Sequence, residues 1–429
     1  MKFRHILLYL IFLLPSVSLT TAAQQVDLSG YLKFFAHPNL NSPFPFDRLG
    51  SRLQLTLDRN LGSKAAFFAS FDFNVEETRS TGRLNESRAA TTEIYPVETY
   101  IDLFLKNLDL RIGKQFIFWG TADWINPTDN LNPWDFQNIA AEIEDYRIAV
   151  SALKADYYFG DNWTVEGVWI PRFTPHKIPL TAPDSMGHLP VILLDPTLPR
   201  NELESSEYAI RLASQIFQID YSFSYYHGFD KNPSVLVTPE FDKNFLPVRI
   251  VFEPHYFPLQ VFGMDFVTTA GKFSLKGEGA YFLTHDRRGT DVFVENPHIQ
   301  YVLGSDYNLS DDISLNAQFI QTIRLKYDRA AEIRRLHQVG NPSPNPPEKY
   351  AQSLSGRIHY QFADFSDVQV IGVVNLRDGD FFLLPILTYG LADGLNIFAG
   401  ATLFHGPSGS PFGRNEPYSR AFLEVKFSF

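Results

Sequence analysis

From Ala421 to the C-terminal Phe429, apolar and polar residues alternate. Ala421, Leu423, Val425, Phe427 and Phe429 fall on one face, Arg420, Glu424, Lys426 and Ser428 on the other, and Phe422 alone breaks the polar register. A period of two is that of a β-strand with one face in an apolar medium and one in water. The pattern recurs in 272–284, where Phe273, Leu275, Tyr281 and Leu283 oppose Lys272, Ser274, Lys276 and Glu278. In 312–324, Ile313, Leu315, Ala317 and Phe319 oppose Ser314, Asn316, Gln318 and Arg324, and in 351–362 Arg357, His359 and Gln361 mark the polar face. Such polar residues do not fit a dry core, because each unpaired buried group costs about 1–3 kcal/mol. A face in bulk solvent, or one lining a water-filled lumen, removes the difficulty.

The connections between these strands fall into two classes. Short turns are expected near 60–62, 106–107, 160–161, 217–218, 270–271, 310–311, 365–366 and 393–394, most of them carrying Gly, Asn, Asp or Ser. Longer connections are expected at 37–48, 76–93, 120–145, 173–206, 228–257, 285–296, 327–347, 377–380 and 406–416. Eight short turns and nine long loops join about 18 strands in one all-β domain, with both termini on one side. Sixteen is the count if a short loop is misread, and twenty if Val248–Tyr256 is itself paired.

Composition narrows the class. The 429 residues include 39 Phe and 20 Tyr, aromatics make up 15%, and the mean hydropathy is only −0.13. Many aromatics without an apolar helical span suit a barrel that is apolar outside and wet inside, although a soluble β-sandwich is equally compatible with composition alone. Lys2 and Arg4, the apolar run Ile6–Leu14 and the small residues Thr21-Ala22-Ala23 have the order of a cleaved secretory signal over 1–23, leaving 24–429 as the mature chain. The formal net charge of −11 argues against nucleic acid as a partner, and with no cysteine there is neither a disulfide nor a thiol-linked lipid.

A chain ending within a two-faced strand on an aromatic resembles the closing strand of Gram-negative outer-membrane barrels. That resemblance implies a transmembrane antiparallel up-and-down β-barrel with periplasmic termini, and Phe427 and Phe429 as the signal read by the barrel-assembly machinery. It also implies contact with outer-membrane lipid and lipopolysaccharide.

The densest constellation is Arg111-Ile112-Gly113-Lys114-Gln115-Phe116-Ile117-Phe118-Trp119-Gly120, followed by Asp123, Trp124 and two copies of one turn, Asn126-Pro127-Thr128-Asp129 and Asn132-Pro133-Trp134-Asp135. Asn and Asp beside Pro cap their own backbone, so this loop should be ordered. The run is similar to the strand-to-loop motif of porin-like proteins related to alginate-export barrels, on Gly113, Gln115, Trp119, Gly120, Asp123, Asn132, Pro133 and Asp135. Lys114 departs from the pattern by falling on the lipid-facing register, which asks for snorkelling, a protein contact or a bulge. As the third long loop, 120–145 is expected to fold inward and narrow the pore, as in trimeric porins. Asp123, Asp129, Asp135, Glu142, Glu144 and Asp145 would then face Arg52, Arg111, Arg147, Arg211, Arg324 and Arg357 on the wall. Such an arrangement either sets a transverse field that selects small polar solutes or simply pins the loop. Trp124 and Trp134 are candidates for stacking on a sugar ring. Trp119, Trp163 and Trp169 suit an interfacial girdle or loop packing.

These observations favour an outer-membrane porin for passive diffusion of small hydrophilic solutes. The alternatives are a facilitated saccharide channel or polysaccharide exporter, a barrel enzyme acting on lipid, and a structural or assembly barrel. His255, His298, His359 and His405 stand apart from any motif pairing them with a nucleophile, so no catalytic residue, cofactor or metal is expected. Inward acids at Asp27, Asp58, Asp72, Glu98, Asp102, Glu166, Glu207, Asp220 and Glu278 offset the basic wall and give no expectation of anion selectivity. A homotrimer is the porin habit, whereas alginate-export-type barrels are monomeric.

Overall fold

The computed structural model describes residues 27–41, 48–81, 86–137, 142, 146–178, 180, 185–186, 188–200, 203–339 and 346–429. The expected signal peptide lies outside the described residues, as do Glu144 and Asp145. The chain begins with β1 (Asp27–His37), β2 (Arg48–Asn60), β3 (Ala65–Thr81), β4 (Glu86–Leu105), β5 (Leu108–Gln115), β6 (Val150–Phe159) and β7 (Trp163–Ile170). It continues through β8 (Ser185–Met186), β9 (Leu189–Leu193), β10 (Glu207–Ile216), β11 (Ile219–Phe229), β12 (Ser234–Phe241), β13 (Pro247–His255) and β14 (Pro258–Ala270). The last part holds β15 (Phe273–Leu283), β16 (His298–Asn308), β17 (Ile313–Arg324), β18 (Tyr350–Ala363), β19 (Ser366–Asn375), β20 (Phe381–Ala392), β21 (Leu395–His405) and β22 (Arg420–Ser428).

Eighteen of these strands form one closed antiparallel sheet, in which each pairs with its neighbours along the chain once β8, β9, β12 and β13 are set aside. Closure is made by β22 against β1, with Leu32 opposite Phe427 and Phe34 opposite Val425. Gly30 and Phe429 add a reciprocal pair of backbone hydrogen bonds, each 3.0 Å long. A closed barrel leaves no open edge, the condition for a sheet to cross lipid. The eight expected short turns all join consecutive barrel strands.

Alternation sorts the side chains as the pattern requires. On β14, Leu259, Val261 and Asp265 are buried within, while Phe262 and Met264 are exposed on the outer face. On β17, Asn316, Gln318 and Ile320 point inward. Phe422, the break in the closing strand, is also explained. It is buried in an inward apolar patch with Ile371, Val373, Phe382, Leu384 and Ile386, so one wall of the lumen is itself greasy.

Three expectations need correction. The connection placed at 76–93 is largely strand, because β3 and β4 continue pairing out to Thr81 and Glu86. Pro247–His255 is a strand but adds nothing to the barrel. It pairs with β12 and runs parallel to β9 in a small outer sheet of four strands. Lys114 does not face lipid. Gly113 sits at φ 138°. Lys114 after it still pairs with Thr99 and Ser151, and the chain leaves the wall only past Gln115, yet Lys114 lines an interior cavity with Phe116, while Gln115, Ile117 and Trp119 are buried. Between β17 and β18 the helix α1 (Arg329–Gln338) starts on Asp328, whose side chain accepts from Ala331 N.

The positive φ at Gly113 sets a test. Any Cβ there would collide with the Thr99 carbonyl oxygen, and φ 138° is hostile to a β-branched residue. Gly113→Val should therefore destabilise the folded barrel by at least about 2 kcal/mol. Urea titration followed by the gel-mobility difference between folded and unfolded barrel reads this as a lowered midpoint, and an unchanged midpoint contradicts it.

Candidate functional site: an in-folded loop and its wall contacts

Between β5 and β6, residues 116–137, 142 and 146–149 lie in the barrel interior. Two limbs hold the segment together. Asn132 is fully buried, its Oδ1 accepting from Ile117 N at 2.7 Å and its Nδ2 donating to the Ile148 carbonyl at 2.9 Å. Trp134 and Arg147 form an antiparallel bridge, flanked by Asp135 N to Tyr146 O at 2.6 Å and Ile148 N to Pro133 O at 2.9 Å. Asn126 closes the other turn, donating to the Trp119 carbonyl at 2.9 Å and accepting from Asp129 N at 3.1 Å. Both Asn-Pro copies thus serve as side-chain caps, as their composition demands.

The tip is fixed to the far wall by Glu278 on β15. Its carboxylate accepts from Thr121 N at 2.9 Å, Ala122 N at 3.0 Å, Thr128 N at 2.7 Å and the Thr128 hydroxyl at 2.9 Å. Gly120, at φ 85°, is packed so tightly among Asn126, Thr128 and Glu278 that a side chain would strike all three. Glu98 accepts from Phe116 N at 2.8 Å, and Glu166 from the Trp119 indole at 2.8 Å. Apolar contacts complete the docking. Ile117, Trp119 and Leu131 pack with inward residues of β6, β7, β10, β11, β14 and β15, and Trp124 and Ile125 lie on the greasy patch around Phe422.

The candidate charges divide into three groups. Asp123 and Glu142 reach the wall: Asp123 takes Lys276 at 2.7 Å, Asn316 at 2.9 Å and Gln318, and Glu142 takes Lys33 and Lys426, each at 2.6 Å. Asp129 and Arg147 pair with one another inside the loop, so Arg147 is not a wall residue. Burial pushes the Asp129 carboxyl upward against the pull of that guanidinium. The guanidinium also lies between the rings of Phe118 and Trp134, at 4.2 and 4.3 Å from their centroids. Asp135 stands 3.4 Å from Lys177, next to His176, whose Nδ1 accepts from Trp134 N at 2.8 Å. Burial pulls the His176 ring down to about 3, consistent with a neutral acceptor.

Four of the five remaining arginines pair away from the loop. Arg52 faces Asp72 at 3.5 Å, and Arg111 forks onto Asp102 at 2.7 and 2.9 Å while stacking on Tyr100. Arg211 is 3.6 Å from Asp265, and Arg324 binds Glu295 and the Glu348 carbonyl at the outer rim. Arg357 lies exposed on β18, without an ion pair among the described residues. The wall-to-loop field expected from these arginines is therefore not assembled, since four neutralise locally and Arg357 meets no loop carboxylate among the described residues. Trp119 is buried in the lumen, while Trp163 and Trp169 are exposed on the outer face. Trp124 is packed against a wall and Trp134 against Arg147, which leaves neither as an open platform. The four isolated histidines face Glu253, Glu295, Asp367 and Glu416.

What remains open beside the loop is a cavity of about 1120 Å³ between it and the β1–β4 wall, lined by Lys33, Arg52, Tyr95, Lys114, Phe116 and Asp135 among others. A smaller cavity of about 370 Å³ adjoins Thr121, Arg211, Asp220 and Asp265. The residues that the sequence left unassigned to the loop are Glu98, Glu166 and Glu278. Their inward register was legible, but their use as acceptors was not.

Residues 56–291, just over half of the chain, match the family model described as "Protein of unknown function (DUF1302)". Among solved structures, OccAB4 of Acinetobacter baumannii is similar over 95% of this chain and 99% of its own, at 10% identity and a TM-score of 0.54. The outer membrane channel DcaP of the same organism aligns over 96% and 99% at 10% identity, with a TM-score of 0.42. OmpT, an outer membrane protein of Vibrio cholerae, covers 96% and 99% at 10% identity and 0.46. At these identities the likeness is one of fold, a porin-like barrel, and it does not bear on the alginate-export relation. Comparison with curated proteins finds no match.

Replacing Glu278 by alanine strips acceptors from three backbone N–H groups at once, a change of about 3 kcal/mol or more in the docked state of the loop. Limited proteolysis in detergent should cut Glu278→Ala within 116–149 well before wild type while the barrel keeps its folded gel mobility. Equal resistance of the two proteins contradicts this role.

Proposed function

We propose that this chain, which belongs to the DUF1302 family of proteins of unknown function, is an outer-membrane channel for passive diffusion of small hydrophilic solutes, constricted by its 116–149 loop. The observation that carries the reading is the loop itself, docked across the interior on the wall residues Glu278, Lys276, Lys33 and Lys426 beside a cavity of about 1120 Å³ with many polar side chains on its walls. An 18-stranded barrel is wide enough to need narrowing if it is to sieve solutes. Fixed loops do so without a large conformational change. The outer-membrane location and the role of Phe427 and Phe429 in assembly belong to the same proposal, supported by an exposed apolar outer face and by the closing pairing of β22 with β1.

The saccharide reading is weakened because both loop tryptophans already have partners. The enzyme reading has no histidine–nucleophile pair among the described residues to favour it.

In a planar bilayer, the refolded mature protein should give discrete open steps in potassium chloride, and removing residues 121–137 should enlarge each step severalfold. A folded wild-type barrel that stays silent overturns the channel reading. Steps of unchanged size after the deletion overturn the loop as the constriction.

A further inference from the structure

The larger cavity has an uneven chemistry, and Lys114 is its centre. Most cations on its walls already hold a carboxylate: Lys33 has Glu142 at 2.6 Å and Glu424 at 3.3 Å, Arg48 has Glu76 at 2.5 Å, and Arg147 has Asp129. Lys114 makes no ion pair among the described residues, and its Nζ donates to one carbonyl, that of Pro96, at 2.5 Å. It lines the cavity from the end of β5, directly after Gly113 at φ 138°. Across the same space Lys177 is well exposed and shares a single carboxylate, Asp135, at 3.4 Å. Glu93, a lining acid with no ion pair among the described residues, lies three residues along β4 from Pro96, whose carbonyl holds the Lys114 ammonium. That is on the order of 10 Å along the strand, about a Debye length in physiological salt. The same cavity has apolar and aromatic lining, with Val97, Phe116 and Tyr95.

We infer that this cavity is a recognition site for small organic anions with a flat apolar body, the anionic group meeting Lys114 on the Lys177 side and the body resting on Phe116, Val97 and Tyr95. An ammonium held by one carbonyl has donors to spare, and a charge-assisted bond in a partly desolvated cavity is stronger than a neutral one. Aromatic walls supply contact area to a ring but not to chloride. The inference rests on the channel reading and narrows its solutes. Of the inward acids, Glu98, Glu166 and Glu278 are turned to the loop, and Asp72, which acts on Lys114, is shared with Arg52 and Gln54.

The test uses the full mature protein in a planar bilayer with three matched probes: phenylacetate, phenylacetamide and the phenethylammonium ion. Phenylacetate should interrupt the potassium chloride current at the lowest concentration. Lys114→Gln should raise its half-blocking concentration about fivefold or more and leave phenylacetamide unchanged, and Lys114→Arg should retain the preference. Equal block by all three probes, or phenylacetate block unaltered in Lys114→Gln, overturns the anion site while leaving the channel standing. A silent wild-type barrel removes the channel and the site together.

Discussion

A loop drawn into a barrel gives up hydration on many backbone N–H groups, and a buried donor without an acceptor is costly. One carboxylate, Glu278 on β15, accepts three such N–H groups and a hydroxyl from the tip of the loop. Glu98 and Glu166 do the same work nearer its root. With these acceptors in place, apolar docking of Ile117, Trp119 and Leu131 on one side and Trp124 and Ile125 on another becomes favourable. The polar lumen is thus not a passive consequence of water. It is a set of acceptors and greasy patches arranged to seat one segment.

That arrangement changes how the charges are to be counted. Wall acids that would give a channel cationic preference are consumed by the loop, and most wall arginines are consumed by neighbouring acids on their own sheet. Local pairing leaves little long-range field, because opposite charges a few ångströms apart cancel at the distances over which a solute approaches. Selectivity is then decided by the few side chains left over.

The barrel was legible in the sequence because its determinants are local. Period-two alternation assigns faces, and short turn residues assign connections, so the strand count and all eight tight turns follow from stretches of about ten residues. The two Asn-Pro turns were legible as ordered for the same reason. Where the loop goes was not legible, because Thr121 meets Glu278 across 157 positions of chain and Asp123 meets Asn316 across 193. Nothing local names those partners. Lys114 failed for a different reason: a face assignment holds only while the backbone keeps ordinary strand dihedrals, and Gly113 at φ 138° departs from them one residue earlier. A glycine inside a strand was the available signal. Phe422 shows the converse, since a break in the polar face marked an inward apolar patch that receives Trp124.

The central claim, that the loop is held inside the barrel against the far wall, is most directly tested by a cross-link. The chain has no cysteine of its own, so Asp123→Cys with Asn316→Cys introduces a single pair at two side chains that touch at 2.9 Å. Under mild oxidation the account predicts an intramolecular disulfide, seen as a shifted mobility of the denatured chain that reductant reverses. It also predicts slow labelling of the single Asp123→Cys variant by a bulky impermeant maleimide. Absence of the disulfide together with rapid labelling of that cysteine would place the loop outside the lumen and contradict the account.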